Sequence, residues 1–458
     1  MNQSYRTEHD SMGEVRVPAD ALYGAQTQRA VENFPISQMR FGRAFLRALG
    51  LVKAAAARAN LETGVLPAPV AGAIEKAAQE VMEGHHDAQF VVDVFQTGSG
   101  TSTNMNANEV IATRAAALLG QPVHPNDHVN RSQSSNDVFP TALHIAAARV
   151  THETLLPAME TLRQALDAKR QQFWDILKIG RTHLQDAVPM RLGQEFGGYA
   201  RQVELSQARI RQALEGIYEL PLGGTAVGSG MNAAPGFAQA AIGIIAERTG
   251  EPFREAQNHF EAQAARDAAV FLSGAVKSHA IALTKIANDI RWLGSGPRCG
   301  LGELQLPEVQ PGSSIMPGKV NPVIAESVLM VCAQVIGYDA TISWGAASGA
   351  FELNTMMPVI AFDLLASLEL LAAASRNFAE RCVAGLGANE KRLQDALERT
   401  LALATTLTPE IGYERAAALA KAAYSSGRTI RQVAQEQSGI DKAKLVELLD
   451  PVKMVGPA

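Results

Sequence analysis

Four long stretches of the chain repeat apolar residues at the spacing of a helix face. In Ser132–Ile176 the apolar positions are Phe139, Leu143, Ala146, Val150, Leu155, Met159, Leu162 and Leu166. Comparable patterns cover Leu192–Leu220, Phe253–Leu293 and Val320–Trp344. This period predicts helices. Because they exceed the average length of about 11 to 12 residues, we expect them to bury their apolar surface by packing side by side in a bundle.

The whole pattern predicts an all-α fold, with a central long-helix bundle between smaller N- and C-terminal domains. Polar and apolar residues seldom alternate, and one short strand is expected at Gly13–Pro18. The pattern changes near residues 135 and 356. We therefore expect an N-terminal domain at 1–135, the bundle at 136–356 and a C-terminal domain of shorter helices at 357–458. Small and apolar residues off the main stripe predict packing across subunits.

The composition supports a large folded core and argues against two classes of partner. Hydrophobic residues make up 47% of the 458 positions and charged residues 19%, which is typical of globular chains. The net charge of −5 lacks the basic excess of a nucleic-acid-binding protein. We find no apolar run of the roughly 20 residues that span a membrane, so no membrane partner is expected.

The N-terminus and the cysteines indicate the compartment. The first twenty residues lack the basic segment and apolar run of a signal peptide. The three cysteines, Cys299, Cys332 and Cys382, lie far apart and show neither metal-ligand spacing nor a disulfide framework. We therefore predict a cytoplasmic, reducing environment and no metal site.

A short loop, GSSIMPGKVNP at 312–322, interrupts the helical pattern with hydroxyls, glycines and one lysine. It does not match a phosphate-binding loop, because five residues separate Gly312 from Gly318 and Val320 stands where Ser or Thr is needed. Pro317 also removes a backbone N–H that a phosphate would need. The loop is therefore either a simple helix terminator or part of another kind of site.

Three further polar stretches accompany this loop. They read TGSGTSTNMNANE at 97–109, HPNDHVNRSQSSND at 124–137 and GRTHLQDAVP at 180–189. Each precedes an expected helix, and Ser, Thr, Asn and Asp are common helix caps. Because a cap needs one such residue and each stretch carries several, we expect the stretches to form a site as well.

These residue types suit a small anion and proton transfer. Hydroxyls, amides and Lys319 can hold carboxylates by charge-assisted hydrogen bonds. The imidazole of His183 can accept and donate a proton. Ser313 or Ser314 lies among glycines, where exposed backbone N–H groups can stabilise an oxyanion. The sequence shows no nucleophile elbow and no zinc-protease motif, so these groups are the candidate chemistry.

Taken together, these stretches resemble those of class II fumarases in the fumarase/aspartase superfamily of lyases. The signature loop of the superfamily matches 312–322. The likeness extends to GAQTQR at 24–29, GAFELN at 349–354 and IGYERAAALAK at 411–421. The motifs occur in family order and are highly specific as a set.

The resemblance implies an all-α homotetramer in which three subunits build each active site, and this would explain why the polar stretches lie far apart in the sequence. It implies the reversible hydration of fumarate to L-malate, a step of the tricarboxylic acid cycle. It also implies a small dicarboxylate as substrate and no cofactor.

Carried over position by position, the resemblance assigns roles to individual residues. Ser313 would be the base that removes the C3 proton of malate as an alkoxide, and His183 would handle the water, oriented by Glu326. The implied substrate-binding residues are Ser99, Thr101, Ser134, Ser135, Asn136, Thr182, Lys319 and Asn321. An accessory dicarboxylate site is implied at His124, Asn126 and Asp127.

Two alternatives remain open. Aspartate ammonia-lyases of the same superfamily tend to carry glutamine in place of His183, PAKVNP in place of PGKVNP and STND in place of SSND, and all three positions here favour fumarase. A non-catalytic scaffold that keeps the fold, as in some lens crystallins, is the other alternative. The presence of Ser313, His183, Glu326 and Lys319 argues against it.

Overall fold

A computed structural model describes residues 4–455 and contains seventeen α-helices in that range. The helices are α1 (Ala25–Asn33), α2 (Arg43–Glu62), α3 (Ala68–Glu83), α4 (Thr101–Leu119), α5 (Ser135–Val150), α6 (Leu156–Gln172), α7 (Leu192–Ile217), α8 (Phe237–Thr249), α9 (His259–Ala264), α10 (Asp267–Leu293), α11 (Val323–Ala347), α12 (Met357–Arg381), α13 (Glu390–Arg399), α14 (Thr408–Ile411), α15 (Tyr413–Ser426), α16 (Ile430–Gln437) and α17 (Lys442–Leu448). The predicted all-α class is confirmed.

Within the described residues, the strands form four small two-stranded sheets. They are β1 (Tyr5–Asp10) with β2 (Gly13–Pro18), β3 (Leu177–Thr182) with β4 (Gln185–Arg191), β5 (Glu219–Leu220) with β6 (Arg254–Glu255), and β7 (Leu304–Gln305) with β8 (Gly387–Ala388). Only the β5–β6 pair is parallel. The strand predicted at Gly13–Pro18 is confirmed as β2.

The long helices largely follow the apolar period. Leu192–Leu220 contains α7, and Val320–Trp344 overlaps α11. Ser132–Ile176 contains α5 and α6, which are joined by a π-helical turn at Thr151–Leu155. That turn lies just before Pro157, whose ring prevents regular helical hydrogen bonding.

Three elements differ from the predicted pattern. α10 begins at Asp267 rather than at Phe253, because Arg254 and Glu255 pair with β5 and Asn258 caps the separate helix α9. A fifth long helix, α12, follows directly after the break predicted near 356. Strands β3 and β4 occupy the region around His183, where no strand was predicted.

The chain forms two compact units, each assembled from separate segments. The first comprises the chain up to Pro157 with 206–280 and 332–372, and the second comprises 158–205, 281–331 and the chain from Ala373 onward. Helices α6, α7, α10, α11 and α12 contribute residues to both units. The division at residues 135 and 356 stays a prediction.

In the first unit, α2 is buried on nearly every face. Its run of alanines at 54–57 is at most 2% exposed, and such small side chains let α3, α5 and α8 pack closely around it. At Gly50 an added Cβ would lie 3.0 Å from the backbone oxygen of Ala78 in α3. The same helix carries Lys53, which is fully buried.

In the second unit, the C-terminal helices build a core of their own. Its buried side chains include Leu407, Leu419, Ile430, Val433 and Leu449. The shorter helices expected in this region are confirmed as α13 to α17.

Two helices are long and apolar enough to cross a membrane by length and composition, so the expectation that no stretch reaches that size is wrong. They are Val323–Ala347 and Met357–Gly385. In the second, 67% of the apolar window is buried, as in a core helix, whereas only 28% is buried in the first. α11 therefore keeps an apolar face uncovered, on which Met330 and Trp344 are 68% and 75% exposed.

Candidate active site

The residues predicted for an accessory site lie together in a π-helical turn at Pro125–Val129. His124 caps this turn, because its Nδ1 accepts the backbone N–H groups of Asn126 and Asp127 at 3.3 and 3.1 Å. All three side chains are exposed. His124 and Asn126 also line a cleft of about 650 Å³, which is large enough to admit a small dicarboxylate.

Ser134, Ser135 and Asn136 form the start of α5. Ser134 is the N-cap, and its Oγ accepts the backbone N–H of Asn136 at 3.2 Å, so the capping interpretation holds for this serine. Asn136 donates from Nδ2 to the backbone oxygen of Ala226 at 2.8 Å. Ser135 is buried, and its Oγ accepts from Nδ2 of Asn104 at 2.9 Å. Both serine hydroxyls keep a proton to donate.

These three residues and Thr101 line one cavity of about 520 Å³ in the first unit. Thr101 is the first residue of α4, and its Oγ1 lies 2.7 Å from Oγ of Ser99. The wall is rich in hydroxyl and amide groups, which can hold a carboxylate without a dense cluster of cations. The structure therefore brings five of the predicted substrate-binding residues to one place.

Asp137 ties the start of α5 to the segment that closes one side of this cavity. Its buried carboxylate accepts the backbone N–H groups of Ser134, Gly223 and Thr225 at 2.9, 3.0 and 2.9 Å. Burial raises the pKa of Asp137 to about 6, although these three hydrogen bonds act in the opposite direction. The carboxylate thus fixes two backbone segments of the cavity at once.

In the second unit, His183 lies at the tip of the β3–β4 hairpin. The turn consists of His183 and Leu184, with φ values of +55° and +59°. Two-residue hairpins favour this left-handed geometry, but side chains other than glycine adopt it at an energetic cost. Thr182 ends β3 opposite Gln185. The strained turn therefore presents Thr182 and His183 as exposed side chains.

A buried ion-pair network supports the base of this hairpin. Nζ of Lys178 lies 2.8 Å from the carboxylate of Glu195 and 3.3 Å from that of Glu303. Arg181 donates to Glu303 at 2.5 Å. The side chains of Lys178 and Glu303 are 2% and 1% exposed. Because two cations meet two carboxylates, the charges balance in this buried place, and they fix β3 up to the residue before Thr182.

The loop at 312–322 folds back on itself. Gly312 packs against the backbone of Lys319 so closely that no Cβ would fit between them. Asn321 strengthens this closure by donating from Nδ2 to the backbone oxygen of Gly312. Lys319 is exposed at the end of the loop.

Ser313 accepts two backbone hydrogen bonds within this loop. The N–H groups of Ile315 and Met316 lie 3.3 and 3.1 Å from its Oγ. Donors aimed at a hydroxyl oxygen stabilise negative charge that develops there. The geometry therefore suits Ser313 as an alkoxide base. No corresponding pair of donors is found on Ser314 in the described part of the chain.

The chain does not bring all the predicted catalytic residues together. The side chain of Glu326, in the first turn of α11, is exposed and forms no hydrogen bond or ion pair among residues 4–455, so it does not reach His183. Within the same range, Ser313 has no contact with His183 by hydrogen bonding. The second unit holds the hairpin tip, the loop at 312–322 and Glu326, which lies in the first turn of the helix after that loop.

The structure adds residues that the sequence patterns did not single out. Lys53 is a charged residue within the alanine-rich stretch of α2. A lysine in such an apolar stretch is the sequence feature that could have pointed to it. Asn104 and Asn130 lie inside polar stretches, where their neighbours of the same type concealed them. Among residues 4–455, no cluster of three or more His, Cys, Asp or Glu side chains is arranged to hold a metal ion.

Comparison with known protein families gives two matches along the chain. Residues 13–337 match the model of a family described as lyase. Residues 403–456 match the model described as fumarase C C-terminus. The two matches include all the predicted site residues and the whole of the C-terminal core.

Individual relatives match along nearly the whole chain. A protein named fumarate hydratase class II from Halobacterium salinarum is 56% identical, over 99% of this chain and 98% of that protein. Its namesake from Mycobacterium tuberculosis is 55% identical, over 98% of this chain and 94% of that protein.

Solved structures agree. A recombinant class II fumarase from Schistosoma mansoni superposes with a TM-score of 0.96 at 40% identity, covering 98% of this chain and 99% of that one. A structure titled fumarate lyase:delta crystallin, from Brucella melitensis and bound to cobalt, superposes with a TM-score of 0.95 at 47% identity, covering 99% and 100%. With such identity over its full length, the chain belongs to the class II fumarate hydratase family.

Proposed function

We propose that the protein catalyses the reversible hydration of fumarate to L-malate. The observation that carries this proposal is the identity of 56% over 99% of the chain to a class II fumarate hydratase. The cavity at the start of α5 supports it, because its hydroxyl and amide donors suit a small dicarboxylate. The ammonia-lyase and scaffold alternatives are not favoured by these relatives.

In the direction of dehydration, Ser313 acts as the base. Its alkoxide removes the C3 proton of malate, and the electron pair of that C–H bond moves into the adjacent carboxylate, which becomes a doubly negative aci-carboxylate. The two backbone N–H groups that meet Oγ of Ser313 lower the energy of the alkoxide. Lys319 and Asn321 stabilise the aci-carboxylate more than the substrate, which is what accelerates the step.

His183 handles the departing water. As the C2–O bond breaks, the imidazolium donates a proton to the leaving hydroxide, the C2–C3 double bond forms, and fumarate and water result. Glu326 orients the imidazole. Thr182 assists at the same hairpin tip. Binding of the substrate carboxylates falls to Ser99, Thr101, Ser134, Ser135 and Asn136.

The accessory residues His124, Asn126 and Asp127 form a second dicarboxylate site. Their grouping in one exposed turn supports this assignment; Asn126 and Asp127 also line the cavity at the start of α5, so the turn adjoins the main site. Substitution of Asn126 by alanine should therefore leave turnover at the main site nearly unchanged. Abolished activity in that variant would place this turn in the main site instead.

The active form is a homotetramer in which three subunits contribute to each site. The uncovered apolar face of α11 supports subunit packing. The separation of Glu326 from His183 within one chain supports completion of the site by a second copy. We place the enzyme in the cytoplasm. There it would catalyse one step of the tricarboxylic acid cycle, without a cofactor.

Ultraviolet absorbance tests the proposal, because fumarate has a conjugated double bond that malate and aspartate lack. Purified protein is added to L-malate and, separately, to L-aspartate. A rise in absorbance with malate alone is the expected result. A rise with aspartate alone would indicate an ammonia-lyase, and no rise with either would favour another substrate or a scaffold.

A further inference from the structure

A lysine lies fully buried beneath the cavity at the start of α5. Lys53 belongs to α2, and its side chain is 0% exposed among alanines and leucines of the first unit. Burial lowers the pKa of its ammonium to about 7, while the charge of buried Asp137 acts to raise it. A buried ion stabilises a fold less than a well-packed apolar side chain would, so this position calls for a functional explanation.

The ammonium makes two hydrogen bonds, both to the polar stretch that carries the site. Nζ of Lys53 lies 3.0 Å from Oδ1 of Asn130 and 3.0 Å from Oε1 of Gln133. A protonated lysine can donate but cannot accept. Each of these two amides turns its oxygen toward Lys53, and its nitrogen donates to a backbone oxygen, Asn130 to Gln133 at 3.3 Å and Gln133 to Val129 at 3.0 Å.

The orientation of Asn130 determines that of the next amide. Oδ1 of Asn130 also accepts from Nδ2 of Asn104, at 3.2 Å. If Asn104 were reversed, two amide oxygens would face each other, which is unfavourable. Asn104 therefore presents its nitrogen, and the same nitrogen lies 2.9 Å from Oγ of Ser135.

The chain of amides ends on a residue that lines the cavity. Because Nδ2 of Asn104 donates to Oγ of Ser135, the serine oxygen acts as an acceptor there. Its own proton is then free to point into the cavity. A hydroxyl proton aimed at a bound carboxylate strengthens binding, whereas an oxygen lone pair would repel it.

We propose that Lys53 is a positioning residue which, through Asn130 and Asn104, holds the Ser135 hydroxyl as a hydrogen-bond donor toward a carboxylate of the substrate. The inference rests on the proposed fumarate hydration. Without the ammonium, only the 3.3 Å hydrogen bond from Nδ2 of Asn130 to the backbone oxygen of Gln133 still holds that amide. The Asn130 amide then reverses more readily, Asn104 can reverse with it, and Ser135 can donate its proton to Asn104 instead. Lys53 would thus set the polarity of a binding group that it does not touch.

The test is a double-mutant cycle on the assembled enzyme, with Lys53→Met and Ser135→Ala and with L-malate as substrate. Lys53→Met keeps the length of the side chain but removes its donors. Each single variant should raise KM about tenfold, the value of one hydrogen bond to a charged group, with a smaller effect on kcat. The double variant should raise KM no further than either single one, because both changes remove the same interaction.

Lys169→Met is the matched control. Lys169 is another largely buried lysine, which donates to the backbone oxygen of Leu386 at 2.7 Å in the second unit. Its loss should lower thermal stability without changing KM. Asn104→Leu, of similar size to asparagine, breaks the chain of amides without removing the ammonium. It should give the same KM rise and the same absence of further change with Ser135→Ala.

If Lys53 had only a structural role, the KM effects of Lys53→Met and Ser135→Ala would be independent and would multiply. KM of the double variant would then rise about a hundredfold. That result, or an unchanged KM in both Lys53→Met and Asn104→Leu, would overturn the inference. If Lys53→Met does not fold, the Asn104→Leu cycle alone decides. A wild-type protein that does not dehydrate malate would instead refute the proposed function, so the two failures are distinct.

Discussion

At the residue scale, two adjacent serines at the start of α5 have different environments. Ser134 caps the helix, as its Oγ accepts a backbone N–H, whereas Ser135 accepts from the buried side chain of Asn104. A polar stretch read as letters cannot separate these roles, because both residues are small hydroxyls. The position of each relative to the first helical turn decides which role it takes.

Ser313→Ala is expected to lower kcat by at least about a thousandfold, since alanine cannot form an alkoxide. The assembled state should persist, because the exposed loop at 312–322 loses only two weak hydrogen bonds. Steady-state kinetics and molar mass in solution check both expectations. Ser314→Ala is the control and should keep near-normal turnover. Near-normal turnover in Ser313→Ala would exclude Ser313 as the base.

Most residues of the candidate site could be named from the sequence, but the buried residues that hold them in place could not. Ser313, His183 and Ser135 lie in specific motifs, so their identities follow from the resemblance alone. Lys53 is distant from every motif, and only the packing of α2 beneath the cavity brings it to Asn130. Long-range contacts of this kind leave no local pattern, which is why sequence periodicity does not reveal them.

At the element scale, the hairpin that carries His183 is the part of the fold that the pattern misjudged. Residues 177–191 show no clean alternation, because β3 buries the charged Lys178 among partners that lie far along the chain. Binary patterning treats a lysine as a surface residue. The strands become recognisable only once Glu195 and Glu303 are seen to neutralise it.

Glu303→Gln should therefore disturb the hairpin more than its conservative size suggests. It leaves Arg181 and part of the charge of Lys178 uncompensated in a buried place, which typically destabilises by about 3 to 5 kcal/mol. We expect a lower Tm and a lower kcat, because Thr182 and His183 follow directly. Asp175→Asn is the control, as the Asp175 side chain is 96% exposed. An unchanged kcat and Tm would show that the network does not brace the hairpin.

Glu80 of α3 links that helix to α4. Its carboxylate accepts from Arg114 at 2.8 and 3.0 Å and lies 2.6 Å from Nε2 of His86. The hydrogen bond from Arg114, together with that from His86, lowers the pKa of Glu80 to about 2, from an ordinary value of 4.5. A lowered carboxyl pKa contributes stability that is present above pH 4.5 and is lost as the pH falls toward 2.

Glu80→Gln should lower Tm by a few degrees at pH 7. The difference from the wild type should shrink as the pH falls from about 4.5 toward 3, where the wild-type carboxylate begins to lose its advantage. Scanning fluorimetry across this pH series measures it. Glu83→Gln, at a position 48% exposed, should have little effect at any pH. A Tm difference that grows on acidification would contradict the assignment.

At the scale of the whole molecule, no side-chain hydrogen bond or ion pair joins Ser313, His183 and Glu326 among residues 4–455, and α11 exposes apolar surface. If different subunits supply Ser313 and His183, a mixture of two inactive variants can rebuild working sites. Ser313→Ala and His183→Asn should each be nearly inactive alone. Random co-assembly from equal amounts should restore both groups in about one quarter of the sites.

The experiment co-expresses the two variants with different affinity tags and purifies the mixed assemblies by both tags. Activity near the expected fraction supports sharing of the site between subunits. Mixing the two purified homomeric variants without exchange of subunits is the control and should stay inactive. Inactive mixed assemblies would mean that a single chain supplies both groups.

Segments of the two units alternate along the chain, and five long helices have residues in both units. A cut anywhere between residues 157 and 373 therefore separates segments that each unit needs. A shortened gene product ending in this region could not retain one intact half. A laboratory that seeks a minimal active fragment would therefore find no cut within this range that leaves either unit complete.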